Sequence, residues 1–181
     1  MQDLISQRIV IAASTLSLPS RIDHLRPVLA YARELSVLAG FSPDERAKLE
    51  LAMEEVFTYV VVQGFELFSQ EQFQITFELT EKGITVTFLE KGLPSDLAEI
   101  PAYSSENEAA DLRGIGLFLA RKVVDRFEYF YMGRSGVKIR LEKYRAGQRQ
   151  AVLTAENSEE EQHSQSARTD IVYRIREFRP S

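Results

Sequence analysis

The apolar positions of this chain change period several times, and each change marks a predicted element. RIVIAAS (8–14) is a short β-branched run that reads as a strand, with Pro19 and Ser20 ending it. Residues 21–40 then place apolar side chains at 22, 25, 28, 29, 32 and 35, one stripe of a helix. Pro27 falls in the second turn, where it kinks the helix or moves its start. Gly40 is the expected stop. Ser42 with Glu45 forms a capping box, and Pro43 suits a first helical position. Leu49, Ala52, Met53, Val56, Val60 and Gln63 recur on one side, so a second helix is expected from about 43 to 64. QFQITFELTEKGITVTFLEKG (72–92) alternates in period two around Glu81-Lys82-Gly83, a hairpin. Residues 93–113 have no strong period and form a long connection, a length that is usually functional or mobile. A glycine turn then opens a helix at about 115–126, and EYFYM and VKIRLEKY make a second hairpin around 133–136.

Strand, helix, helix, hairpin, loop, helix, hairpin is an α+β order. It predicts a two-layer α/β sandwich, a mixed and mostly antiparallel sheet with helices on one face. From residue 145 the composition turns polar and rich in Glu, Gln and Ser. The expected organisation is one domain over 1–144, a polar linker over 145–169 and a strand-like segment over 170–181.

Composition narrows the chemistry. The 181 residues carry a formal net charge of −5, which argues against a general nucleic-acid binder. No cysteine is present, which excludes disulfides, thiolate metal sites and a thiol nucleophile, and fits a cytoplasmic protein. No signal peptide and no membrane-spanning run is visible. The two histidines, His24 and His163, lie far apart and make a histidine-based metal site unexpected.

Three stretches are candidates for one pocket. The first is Glu54 and Glu55 on the second helix. The second is Glu90-Lys91-Gly92 at a strand end. The third is Arg113-Gly114-Ile115-Gly116, a glycine turn whose backbone N–H groups and helix N-terminus suit a phosphate. Each has a plainer reading. The glutamates serve equally as solvated helix residues, Tyr59 as a core aromatic, and the glycines as a tight start of a helix.

In order, EExxTx, ExGxPxD and GxGLFLARKVVD resemble the anti-sigma-factor serine kinases of bacteria, within the GHKL (Bergerat) ATPase superfamily, over roughly residues 8–144. The resemblance implies ATP as cofactor and Glu55 as general base on a partner's serine hydroxyl. It implies that Glu90, in the place of an aspartate, meets the adenine amino group, with Gly92, Pro94 and Asp96 completing the motif. Gly114 and Gly116 would cradle phosphate, and Arg113, where a glycine is usual, would pair with phosphate or face solvent. Four residues after Glu55 the family has an asparagine that ligates Mg²⁺. Here that residue is Tyr59, a poor ligand for this ion. Gln63 stands where a histidine is frequent.

The implied partners are a sigma factor or an anti-sigma antagonist, with a homodimer as members often form, and no nucleic acid or membrane. The implied activity is phosphorylation or sequestration of that partner. The alternative is a non-catalytic interaction module of the same fold, with Tyr59 plugging the metal position. The closing IVYRIREFRP resembles the opening strand of GNAT acetyltransferases, which implies that a second domain starts there. A C-terminal strand added to a sheet edge is the other reading.

Overall fold

The computed structural model describes residues 9–63, 72–90, 115–132 and 136–148. It contains, in chain order, β1 (Val10–Pro19), α1 (Leu25–Leu38), α2 (Pro43–Gln63), β2 (Gln72–Thr80), β3 (Gly83–Glu90), α3 (Ile115–Val123), β4 (Arg126–Tyr131) and β5 (Val137–Tyr144). The sheet order is β1-β2-β3-β5-β4, and every described pairing is antiparallel. This is the expected α+β sandwich. Its one unexpected turn is that β5, the last described strand, lies between β3 and β4. The chain leaves β3, passes through α3, and returns as β4 two strands away, parallel to β3.

Period two dictates which face of the sheet is buried. Phe73, Ile75 and Phe77 of β2, Ile84, Val86 and Phe88 of β3, and Ile139 and Leu141 of β5 are all at most 2% exposed. The opposite face is polar. Thr15 Oγ1 lies 3.0 Å from Thr76 Oγ1 across β1 and β2. On β4 and β5, Arg140 reaches Glu142 at 2.6 Å and Glu128 at 3.6 Å.

β1 runs five residues further than its β-branched start indicated, to Pro19. The small residues of ASTLSLP alternate as well as the large ones do. Ser14, Leu16 and Leu18 stand opposite Phe77, Ile75 and Phe73. The stripe predicted for the first helix also shifts. Ile22 lies in a short 3-10 turn (Ile22–His24) and is exposed, and the α-helix begins only at Leu25. Pro27 is thus in the first turn, where its missing N–H costs nothing and no kink is needed. α1 buries Val28, Ala32 and Ser36, and the Tyr31 hydroxyl donates to Ser14 Oγ at 2.6 Å while its ring meets Phe77 edge-on at 5.1 Å.

α2 keeps its predicted start. Ser42 N–H donates to Glu45 Oε2 at 2.7 Å, and Glu45 N–H to Ser42 Oγ at 3.3 Å, the reciprocal capping box. Gly40 ends α1 at φ 71°, a left-handed conformation that favours glycine. α2 touches both other helices and β5. Leu49, Ala52, Met53, Val56, Phe57 and Val60 are buried, and Phe57 meets Phe73 edge-on at 5.4 Å.

α3 stops at Val123, earlier than predicted, because the chain bends at Val124 and Asp125 to enter β4. Asp125 N–H donates to the Glu142 carbonyl at 2.9 Å, and Asp125 Oδ2 accepts from Tyr144 N–H at 2.7 Å. The same carboxylate meets Lys143 Nζ at 3.2 Å, and both side chains are almost fully buried. At the β2–β3 turn, a Cβ on Gly83 would collide with the Lys143 carbonyl and stand 2.9 Å from Tyr144 Cα, so this turn packs against β5 only as glycine. The long loop 93–113, the linker beyond 148 and the segment 170–181 lie outside the described residues.

Removing one partner of a buried ion pair strands the other charge. Asp125→Ala is expected to destabilise the domain by about 3–5 kcal/mol, measured as a lowered midpoint of denaturant unfolding.

Candidate functional site

The candidate site is built on the second half of α2. Residues four apart stack on one helix face, so Glu55 and Tyr59 form a pair along the axis. Glu54 points away and is exposed, as in its plain reading.

Glu55 leans on the first turn of α3. A Cβ on Gly116 would collide with Glu55 Oε2, and it would stand 3.5 Å from Glu55 Cδ and 3.6 Å from its Cβ. Gly116 is therefore the residue that lets the two helices approach with a carboxylate between them. Burial pushes the Glu55 carboxyl above the usual carboxylate range, and the neighbouring charge of Glu54 adds to this. Glu55 and Gly116, 61 positions apart in sequence, are thus brought together.

Tyr59 is 7% exposed and lies in the core cluster. Its hydroxyl is 3.4 Å from the hydroxyl of Tyr129 on β4. Burial pushes the Tyr59 phenol above its ordinary range. The bond to Tyr129 pulls the other way, and the negative charge of Glu90 pushes up again. The influence of Glu90 places the end of β3 near this helix, and Glu90 itself is 5% exposed. Glu55 thus meets Gly116, Tyr59 meets Tyr129, and Glu90 is close enough to bear electrostatically on Tyr59. Gly92, Asp96, Arg113 and Gly114 lie outside the described residues, and the side chain of Gln63 does as well.

Tyr129 was not singled out from the sequence. Its signal was present: in RFEYFY, period two places Phe127 and Tyr129 on the same face, and their partners Leu141 and Ile139 are core residues. What the pattern lacked was the position of β4 across the sheet, which decides what that face meets.

Residues 18–143 match the histidine kinase-like ATPase domain family. The chain belongs to this family. A crystal structure of the RsbU and RsbW domains of Rv1364c from Mycobacterium tuberculosis is similar, with a TM-score of 0.54 and 17% identity, covering 74% of this chain and 32% of that one. The likeness is one of fold, and this chain spans about a third of that protein's length. No curated protein matches it.

The family raises the question of ATP and Mg²⁺. Among the described residues no group of three or more His, Asp or Glu side chains is placed to hold a metal ion. At position 59 the group offered is a neutral, buried phenol already bonded to another phenol. Mg²⁺ requires hard oxygen ligands, carboxylates and water, in near-octahedral array. These residues do not fit it. Glu90, the buried carboxylate at the strand end, is a hydrogen-bond acceptor. No helix among the described residues is long and apolar enough to cross a membrane.

A glutamate whose pKa is raised by folding favours the folded state fully below its unfolded pKa, and this contribution is lost as pH rises through the folded pKa. Ionised Glu55 is therefore a cost at neutral pH. Glu55→Gln is expected to raise the thermal midpoint at pH 7, and the gain should vanish below about pH 4, as scanning calorimetry across pH will show. Gly116→Ala displaces only the flexible end of Glu55 while improving helix propensity by about 1 kcal/mol. Its thermal midpoint should not fall, and the Glu55 pKa, followed by NMR, should drop toward its ordinary value.

Proposed function

We propose that this domain is a bacterial regulator of the anti-sigma-factor kinase type that acts in the cytoplasm by holding a protein partner, a sigma factor or an anti-sigma antagonist. It does so without Mg²⁺-dependent phosphoryl transfer. The observation that carries this reading is Tyr59: at the position where the resemblance expects a metal ligand, the chain has a buried phenol tied to Tyr129. Phosphoryl transfer depends on positioning and on neutralising the charge of the phosphates. A cluster of two phenols and a buried carboxylate supplies no positive charge for that.

A second reading is favoured by Glu55. Its raised pKa suits a general base, and it lies beside Gly116 in the first turn of α3. In that reading the domain binds ATP and phosphorylates its partner, with charge supplied by other groups.

Calorimetric titration of ATP into the full chain, with and without Mg²⁺, separates the two. The expected result is that Mg²⁺ does not strengthen nucleotide binding and that no phosphate reaches a serine of an anti-sigma antagonist. Micromolar ATP affinity that rises with Mg²⁺, followed by labelled-phosphate transfer, overturns the holding-only reading in favour of the kinase. ATP binding that ignores Mg²⁺ leaves a nucleotide-sensing version of the holding function.

A further inference from the structure

In the second half of α2, the position where the resemblance expects a metal ligand is joined to another element by a contact between two side chains. Tyr59 comes from α2, and Tyr129 comes from β4, an edge strand of the described sheet. Their hydroxyls meet at 3.4 Å, 70 positions apart in sequence. Tyr59 sits in the apolar cluster, and Tyr129 packs against that same cluster. Glu90, buried at the end of β3, bears electrostatically on the pair. An asparagine side chain is shorter than a tyrosine by most of a ring. Restoring it at position 59 therefore vacates space that the Tyr129 ring and hydroxyl border, and it does not reach the place where the two hydroxyls now meet.

We infer that Tyr129 is the second determinant of metal refusal: Tyr59 and Tyr129 act as one latch that joins α2 to β4, so a change at position 59 alone does not reopen the site. The inference rests on the metal-free reading of the site and names the residue that enforces it. The latch also gives the site a fixed form that needs no ligand. In a neutral state each phenol can donate and accept, so the two hydroxyls can meet among apolar neighbours, where a bare hydroxyl would be costly. Tyr59 is held in that state, since burial and Glu90 both oppose its ionisation.

Two sets of variants of the full chain test this. In the first, Tyr59→Phe, Tyr129→Phe and the double variant keep both rings, and urea unfolding gives their coupling. The two single changes are expected to be non-additive, with a coupling of about threefold or more in the unfolding constant. Spectrophotometric titration of the tyrosines should show the Tyr59 pKa rising further in Tyr129→Phe, because the bond to Tyr129 is what pulls it down. Strict additivity overturns the latch. In the second set, binding of Mn²⁺ as a Mg²⁺ surrogate is measured by electron paramagnetic resonance, with and without ATP. Tyr59→Asn should gain no ion binding, while Tyr59→Asn with Tyr129→Val should gain about tenfold or more, the scale of one well-made ligand contact. Valine keeps strand propensity at position 129. Equal gains in the single and double variants overturn the role of Tyr129. Strong Mn²⁺-ATP binding by the unaltered chain overturns the metal-free reading instead, and the phenylalanine cycle still judges the latch by itself.

Discussion

Burial of α2 is the constraint on which the rest of this domain depends. The helix lies on the inner face of the sheet and is flanked by α1 and α3, so its apolar residues cannot be confined to one stripe. Leu49, Met53, Val56, Phe57 and Val60 face several neighbours at once and are at most 1% exposed. Its outward face carries ion pairs, Asp44 with Lys48 and Glu50 with Arg33 of α1. Away from that outward face, its polar groups include a capping box at its start, where the free N–H groups must be satisfied, and Glu55 and Tyr59 in its second half.

The two polar positions solve the same problem differently. Glu55 keeps its carboxylate by leaning on a glycine, and it carries the cost as a raised pKa. Tyr59 gives up charge altogether and finds a second phenol. At this end of the fold a carboxylate and a paired phenol thus sit side by side on one helix. Polar groups inside a packed core are tolerated when each is paired, and the Lys143–Asp125 pair near the start of α2 obeys the same rule with full charges.

Much of this was legible in the sequence, for identifiable reasons. The capping box at Ser42, the stop at Gly40 and the two hairpins follow from local rules, and local rules survive folding. The helical stripe at position 22 failed because Pro27 sets where the helix can begin, and that competes with periodicity. β1 ends at Pro19, where the sequence placed its stop, but positions 15–18 gave little sign of strand because Ser and Thr carry little hydrophobic signal even when they alternate correctly. In the candidate site, Glu55 and Gly116 were singled out through motif order, while Tyr129 was not. Its role depends on the lateral order of strands, which is a non-local property that no spacing within RFEYFY encodes. The family match over 18–143 agrees with the portion of chain where those motifs lie.

The insertion of β5 between β3 and β4 has a consequence for how the molecule comes into being. During synthesis β1, β2 and β3 can pair in the order in which they emerge, each with its predecessor. β4 cannot: its described sheet partner is β5, which follows it, and β3 likewise waits for β5 on its open side. Closing the sheet late, through contacts distant in sequence, is the slow kind of step in folding. Until Val137–Tyr144 has emerged, the nascent chain carries an unpaired β3 edge and an unpaired β4, the features that recruit chaperones or other strands. The ribosome thus releases a domain whose last described strand is also its keystone.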